Sequence, residues 1–191
     1  MTLAELLVYS VLLLVVVAIT GTMLVRGLLV QRDVGDLTSA SNGGQVVLTS
    51  IEGALRNAST VATPSAFGGR LLIVKTRTGD DGAAASSWTC TGWLLDTTTQ
   101  ELLTVSGASG PGSPTVGLTT GSDFSSWHAV LTGVTPTRKA GVDQPIFSAE
   151  GATGAQVLFD VLEGASNSRV TFGTAAIPRP QGTGIGGGAC T

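Results

Sequence analysis

One stretch of chain limits this sequence more than any other: Glu5, followed by the apolar run LLVYSVLLLVVVAITGTMLV from Leu6 to Val25. As a helix, these roughly 20 residues extend about 30 Å, the thickness of a bilayer's hydrocarbon core. Before Arg26 the only ionisable side chains are Glu5 and Tyr9. The run therefore belongs in lipid or among other apolar helices, and three explanations of it compete. A cleavable secretory signal begins with a basic segment and ends at a small-residue site, yet no Lys or Arg precedes this run. An ordinary single-pass anchor fits the length, but a carboxylate within the apolar segment costs about 2.5–3.5 kcal/mol on insertion scales, less near a helix end. In the third, the Glu5 carboxylate pairs with the α-amino group of Met1 on a neighbouring copy. A buried charge lacking its partner is strongly penalised, so this pairing would select one axial stagger, much as a lone buried polar group sets register in a coiled coil.

Beyond the run, residues 26–60 keep a helical period. Val30, Val34, Leu37, Leu48, Ile51, Leu55 and Ala58 fall on one face at spacings of three and four, and Ser41 and Gly44 continue it with small residues. The spacing predicts one helix of more than about 50 residues, apolar all round in its first half and amphipathic in its second. Gly43-Gly44 is the expected weak point. The helix is expected to end near Val61, because Pro64 cannot continue it and restricts Thr63.

The rest of the chain has a different texture, rich in Gly, Ser and Thr. Only 12% of the 191 residues are charged, although the mean hydropathy is +0.37. That combination suits an apolar N-terminal appendage on one β-rich domain with a hydroxylated surface. Strands are predicted at 70–77, 87–95, 100–105, 128–134, 155–162 and 168–176, with hairpin loops at 96–99 and 163–167. Residues 106–122 read as a long Gly/Ser/Pro/Thr loop and residues 177–191 as an extended tail. A long helix followed by a mostly antiparallel sheet is an α+β layer arrangement, divided here as stem 1–27, amphipathic helix 28–62 and β-rich head 63–191. The two cysteines, Cys90 and Cys190, would form one disulfide in an oxidising compartment. Closing a loop of about 100 residues contributes roughly 3–5 kcal/mol. The alternative is two unrelated buried thiols; their spacing is not that of metal ligands.

The run Thr2-Leu3-Ala4-Glu5-Leu6-Leu7-Val8 resembles the processing motif of type IV pilins and type II secretion pseudopilins, whose pattern is T-L-x-E-L-[LM]-V ahead of a long apolar helix. Thr2, Leu3, Glu5, Leu6, Leu7 and Val8 match it. The resemblance covers about 30 residues in motif and is architectural beyond them; the two successive hairpins also resemble the larger J- or W-type minor pilins. It departs at Met1, where Phe is usual, and at Thr22, where many pilins carry Pro; Gly21 and Gly27 are the candidates to supply the missing flexibility. It implies a ladle-shaped fold and a structural, non-enzymatic role as a filament subunit. It also implies that position 1 follows the cleavage site and that the Met1 amine is the methylated group. The implied partners are copies of the chain, other pilins, a prepilin peptidase and the assembly machinery, with the membrane holding the subunit before assembly and the filament lying outside the cell. A minor or tip subunit, or a secretion pseudopilin, is the alternative within that class. A membrane-anchored extracellular binding module is the alternative outside it.

The residues offer little for chemistry, and no cofactor is called for. His128 is the only histidine, and no serine stands in a G-x-S-x-G context. Gly182 to Gly187 satisfies G-x-G-x-x-G formally, but the chain ends four residues later, with no room for the following helix. Asp80-Asp81-Gly82 lacks the ligand spacing of a calcium loop and reads as a solvated turn. Asn57-Ala58-Ser59 is an N-x-S sequon placed on the expected helix, and the many Ser and Thr are compositional candidates for O-glycans. A net charge of −3 and a pI near 5.0 provide no basic footprint for nucleic acid, and 5% aromatic residues no stacking platform.

Overall fold

A computed structural model describes residues 3–77, 88–151, 153–163, 168–179 and 190. Helix α1 runs from Leu3 to Arg56, 54 residues without interruption, which is about 81 Å of helix. Hydroxyls within it turn back onto its own carbonyls: Ser10 donates to Leu7 O, Thr20 to Val16 O and Thr22 to Ile19 O. Each polar group is thereby satisfied inside the helix, as an apolar surrounding requires.

The expected break at Gly43-Gly44 does not occur. A Cβ on Gly44 would stand 2.3 Å from the Phe172 ring, so the glycine lets an aromatic ring lie against the helix backbone. The buried face is Ala40, Gly44, Val47, Ile51 and Leu55, with Leu37 and Leu48 half-buried. Val30 and Val34, expected on it, are exposed, because the head begins only at Ala40. The helix also ends before Val61. Asn57 closes its last turn, with its backbone N–H and its Nδ2 both donating to Gly53 O. Residues Ala58–Ala62 then form strand β1: β-branched Thr60 and Val61 suit an extended edge, and Ala58 is fully buried there. The amphipathic helix expected over 28–62 is thus helix to Arg56 and strand beyond. Pro64 precedes a short 3-10 turn, Ser65–Phe67.

Five antiparallel strands make the first sheet in the order β1-β2-β3-β4-β5: β2 Leu71–Arg77, β3 Trp88–Asp96, β4 Glu101–Ala108 and β5 His128–Leu131. The second sheet centres on β10, Gly154–Glu163, flanked by β11, Ser168–Ala176, on one edge. Its other edge is shared end to end by β6, Val134–Pro136, and β9, Phe147–Glu150. A small hairpin, β7 Arg138–Lys139 and β8 Val142–Asp143, stands apart. The single strand expected over 128–134 is therefore two strands in different sheets. Gly133 makes the crossing at φ 68°, and a Cβ there would lie 2.3 Å from Leu162 O.

The main core lies between α1 and both sheets, where Ile51 and Leu55 meet Leu72, Val74, Val157 and Phe159. A second core covers the opposite face of the first sheet. There Leu71, Ile73, Leu94 and Leu103 lie beneath Trp127 and the Cys90–Cys190 disulfide. Burial on both faces accounts for five consecutive buried residues in β2, a pattern without the alternation of a half-exposed strand. Glu163, expected to open the hairpin loop 163–167, is the last residue of β10 and pairs with Ser168; the rest of that loop and most of the tail lie outside the described residues.

Candidate functional site

From Leu3 to Gly35 every described side chain of α1 with an assigned exposure is exposed. The most apolar window of this helix has a mean hydropathy of 2.5, and none of it is buried in the protein. Fully burying a Leu or Val side chain is worth about 1.5–3 kcal/mol, so the run gains tens of kcal/mol wherever it finds an apolar phase. The helix is long and apolar enough to cross a membrane. Glu5 lies in its first turn and is exposed, an acid at the end of the helix that favours negative charge. Met1, its expected partner on a neighbour, lies outside the described residues.

Cys90 and Cys190 form a disulfide with Cα atoms 5.6 Å apart, spanning a sequence separation of 100 residues. The Thr115 hydroxyl donates to Cys190 O at 2.8 Å and is shared with Ser113, so the loop that roofs the second core is tied to the chain's end beside the cross-link.

A cleft of about 220 Å³ opens on the outer face of the first sheet between Phe67, Arg70, Asp96, Ser122 and Phe124. Hydrogen bonds from the backbone N–H groups of Thr98 and Ser125 hold Asp96 and Asp123 below their ordinary values. His128 is exposed on β5 and does not line this cleft. Among the described residues no group of three or more His, Cys, Asp or Glu could hold a metal ion. Asp80-Asp81-Gly82 and the glycines of 182–187 lie outside the described residues. Asn57 is off the helix, exposed in the turn that follows it.

Two features escaped the sequence. Asp160, in the apolar-looking run of β10, is fully buried; its Oδ1 accepts from the Thr137 and Thr171 hydroxyls and its Oδ2 stands 3.2 Å from Arg169 Nη1. A lone acid at an alternate position of a strand was the available signal. The other is the charged stretch Arg26, Arg32, Asp33, Asp36 between the apolar run and the head, which makes no ion pair among the described residues. No protein-family model matches this chain, and neither a curated protein nor a solved structure is significantly similar to it.

Proposed function

We propose that the chain is a structural subunit of a type IV pilus-like surface filament, polymerising through α1 and carrying no catalytic site of its own. One observation carries the reading: a single continuous helix is wholly exposed and apolar over its first half and is the core element of the head over its second. Lipid tails and neighbouring apolar helices hide the same surface, and lipid is as apolar as Leu. Exchanging one for the other therefore costs little, which lets a subunit wait in the membrane and be drawn into a polymer. The head on the outside, where a disulfide persists, is consistent with an extracellular filament.

Within this reading Glu5 pairs with the Met1 amine of a neighbour, and the machinery that processes and drives assembly is separate. Filament abundance distinguishes a major subunit from a minor or tip one. The test is Glu5→Ala in the producing cell, read as chain recovered in sheared extracellular filaments. Wild type yields filaments, and the variant stays in the membrane with its head displayed. Equal surface display with no filaments in either strain would sink the proposal and leave the anchored binding module.

A further inference from the structure

Exposed large apolar side chains continue along α1 from Leu3 to Val34, about 48 Å of helix, whereas a bilayer's hydrocarbon core covers about 30 Å. With Arg26 at the lipid boundary, Leu28, Leu29, Val30 and Val34 stand outside it, each more than half exposed, and the head does not begin until Ala40. In this neck, residues 26–39, the stretch 26–35 is covered neither by lipid nor by its own head, and Asp36 and Leu37 are only partly covered. An apolar surface of this kind rimmed by charge marks an interaction site.

The charges on the neck are ordered: Arg26 and Arg32 come first, Asp33 and Asp36 second. None of the four makes an ion pair among the described residues. The spacing 26–29–33–36–40–44–47–51 continues the head-packing stripe downward, so Arg26, Leu29, Asp33 and Asp36 share the side on which the head overhangs.

We propose that the neck is a contact between copies of this chain, and that its charge order sets their axial stagger. The proposal rests on the filament reading above. Chains inserted in one membrane lie parallel. Parallel necks in register oppose Arg to Arg and Asp to Asp. Displacing one copy along the axis by five or six residues, about 7.5–9 Å, instead brings Arg32 to within one or two residues in height of the neighbour's Asp36 and Arg26 to within one or two of its Asp33. The contact is then heterologous: each copy uses its lower neck toward one neighbour and its upper neck toward the next. A displacement repeated in one direction does not close, and gives an open helical polymer. Leu28, Leu29, Val30 and Val34 supply contact area, and the charges choose the register, since like-charge juxtaposition is what most strongly rejects a wrong arrangement.

The test uses the full chain in the producing cell, with three variants: R26D/R32D, D33R/D36R and all four substitutions together. The two double variants make each neck uniformly acidic or uniformly basic, and polymer recovered by shearing is expected to fall more than about tenfold. The fourfold variant reverses the order but keeps complementarity, so polymer returns to near the wild-type level. Membrane content and the non-reducing gel shift of the Cys90–Cys190 disulfide report insertion and folding of each variant. Filaments from both double variants at wild-type abundance overturn the neck contact and leave the filament reading standing. Loss in R26D/R32D with no loss in D33R/D36R and no rescue in the fourfold variant also overturns it, assigning the two arginines to lipid phosphates. A wild-type chain that inserts and never polymerises overturns both readings.

Discussion

Gly44→Ala adds one methyl group at the most crowded point of the helix–sheet contact. Its Cβ would lie 2.3, 2.4 and 2.7 Å from three atoms of the Phe172 ring. The ring cannot swing away freely, because it is stacked on Phe159 with centroids 5.4 Å apart, and both rings are buried. Forcing a methyl into such a core costs about 1–3 kcal/mol. Replacing a mid-helix glycine by alanine returns about 1 kcal/mol of propensity. The net is a loss of up to about 2 kcal/mol, or up to roughly 8 °C in Tm for a chain of this size. Gly53 is the control: it is exposed on the same helix, with no atom within 4 Å of its would-be Cβ. There the propensity acts alone, and Gly53→Ala should raise Tm by about 2–4 °C. Thermal unfolding of the full chain in detergent, followed by near-ultraviolet circular dichroism, reads both. If Gly44→Ala stabilises as much as Gly53→Ala, the ring does not pack on the helix backbone and the reasoning fails.

Reducing the disulfide, or Cys190→Ser, should cost about 3–5 kcal/mol in a urea titration, with faster proteolysis in 109–127 as the roof of the second core comes loose. Asp160→Ala should cost about 1.5–3 kcal/mol, because it removes the acceptor shared by the half-buried Thr137 and exposed Thr171 hydroxyls. Arg169→Ala should cost at least as much, because it leaves the fully buried Asp160 carboxylate without its ion partner; a loss well below that of Asp160→Ala on thermal melts would refute this. Asp96 and Asp123 are held below the ordinary 3.8, so the stability they contribute is present above that pH and is lost as pH falls through their folded values. Asp96→Asn should therefore flatten the acid side of a urea-midpoint-versus-pH curve and leave its neutral part unchanged in shape.

Much of this architecture could be read locally. The stem is set by an apolar run whose length is a solvent requirement, and the strands from Leu71 to Ala108 announce themselves through β-branched and aromatic runs between turn residues. The β3–β4 turn is legible for the same reason: Asp96 accepts from Thr98 N at 2.8 Å, a bond made within the loop. What was misread depends on distant partners. Ala58 fits the helical stripe as well as it fits a strand, and pairing with β2 opposite Thr76 decides the matter. Gly43-Gly44 reads as a break until Phe172, far along the chain, is seen against it. The 128–134 run reads as one strand because nothing local says that Leu131 pairs with Leu102 while Val134 pairs with Val161.

The same division holds for the candidate site. Glu5 and the apolar stem are properties of a single helix, so their spacing in the chain is their spacing in space, fixed by a rise of about 1.5 Å per residue. Where the head begins on that helix is not a local property. Val30, Val34 and Leu37 have the period of a core face, yet only the reach of two sheets, closing at Ala40 against Phe172 and its neighbours, leaves the first two exposed. Periodicity states which side of a helix is apolar; how much of that side the head covers is settled by packing between residues more than a hundred positions apart.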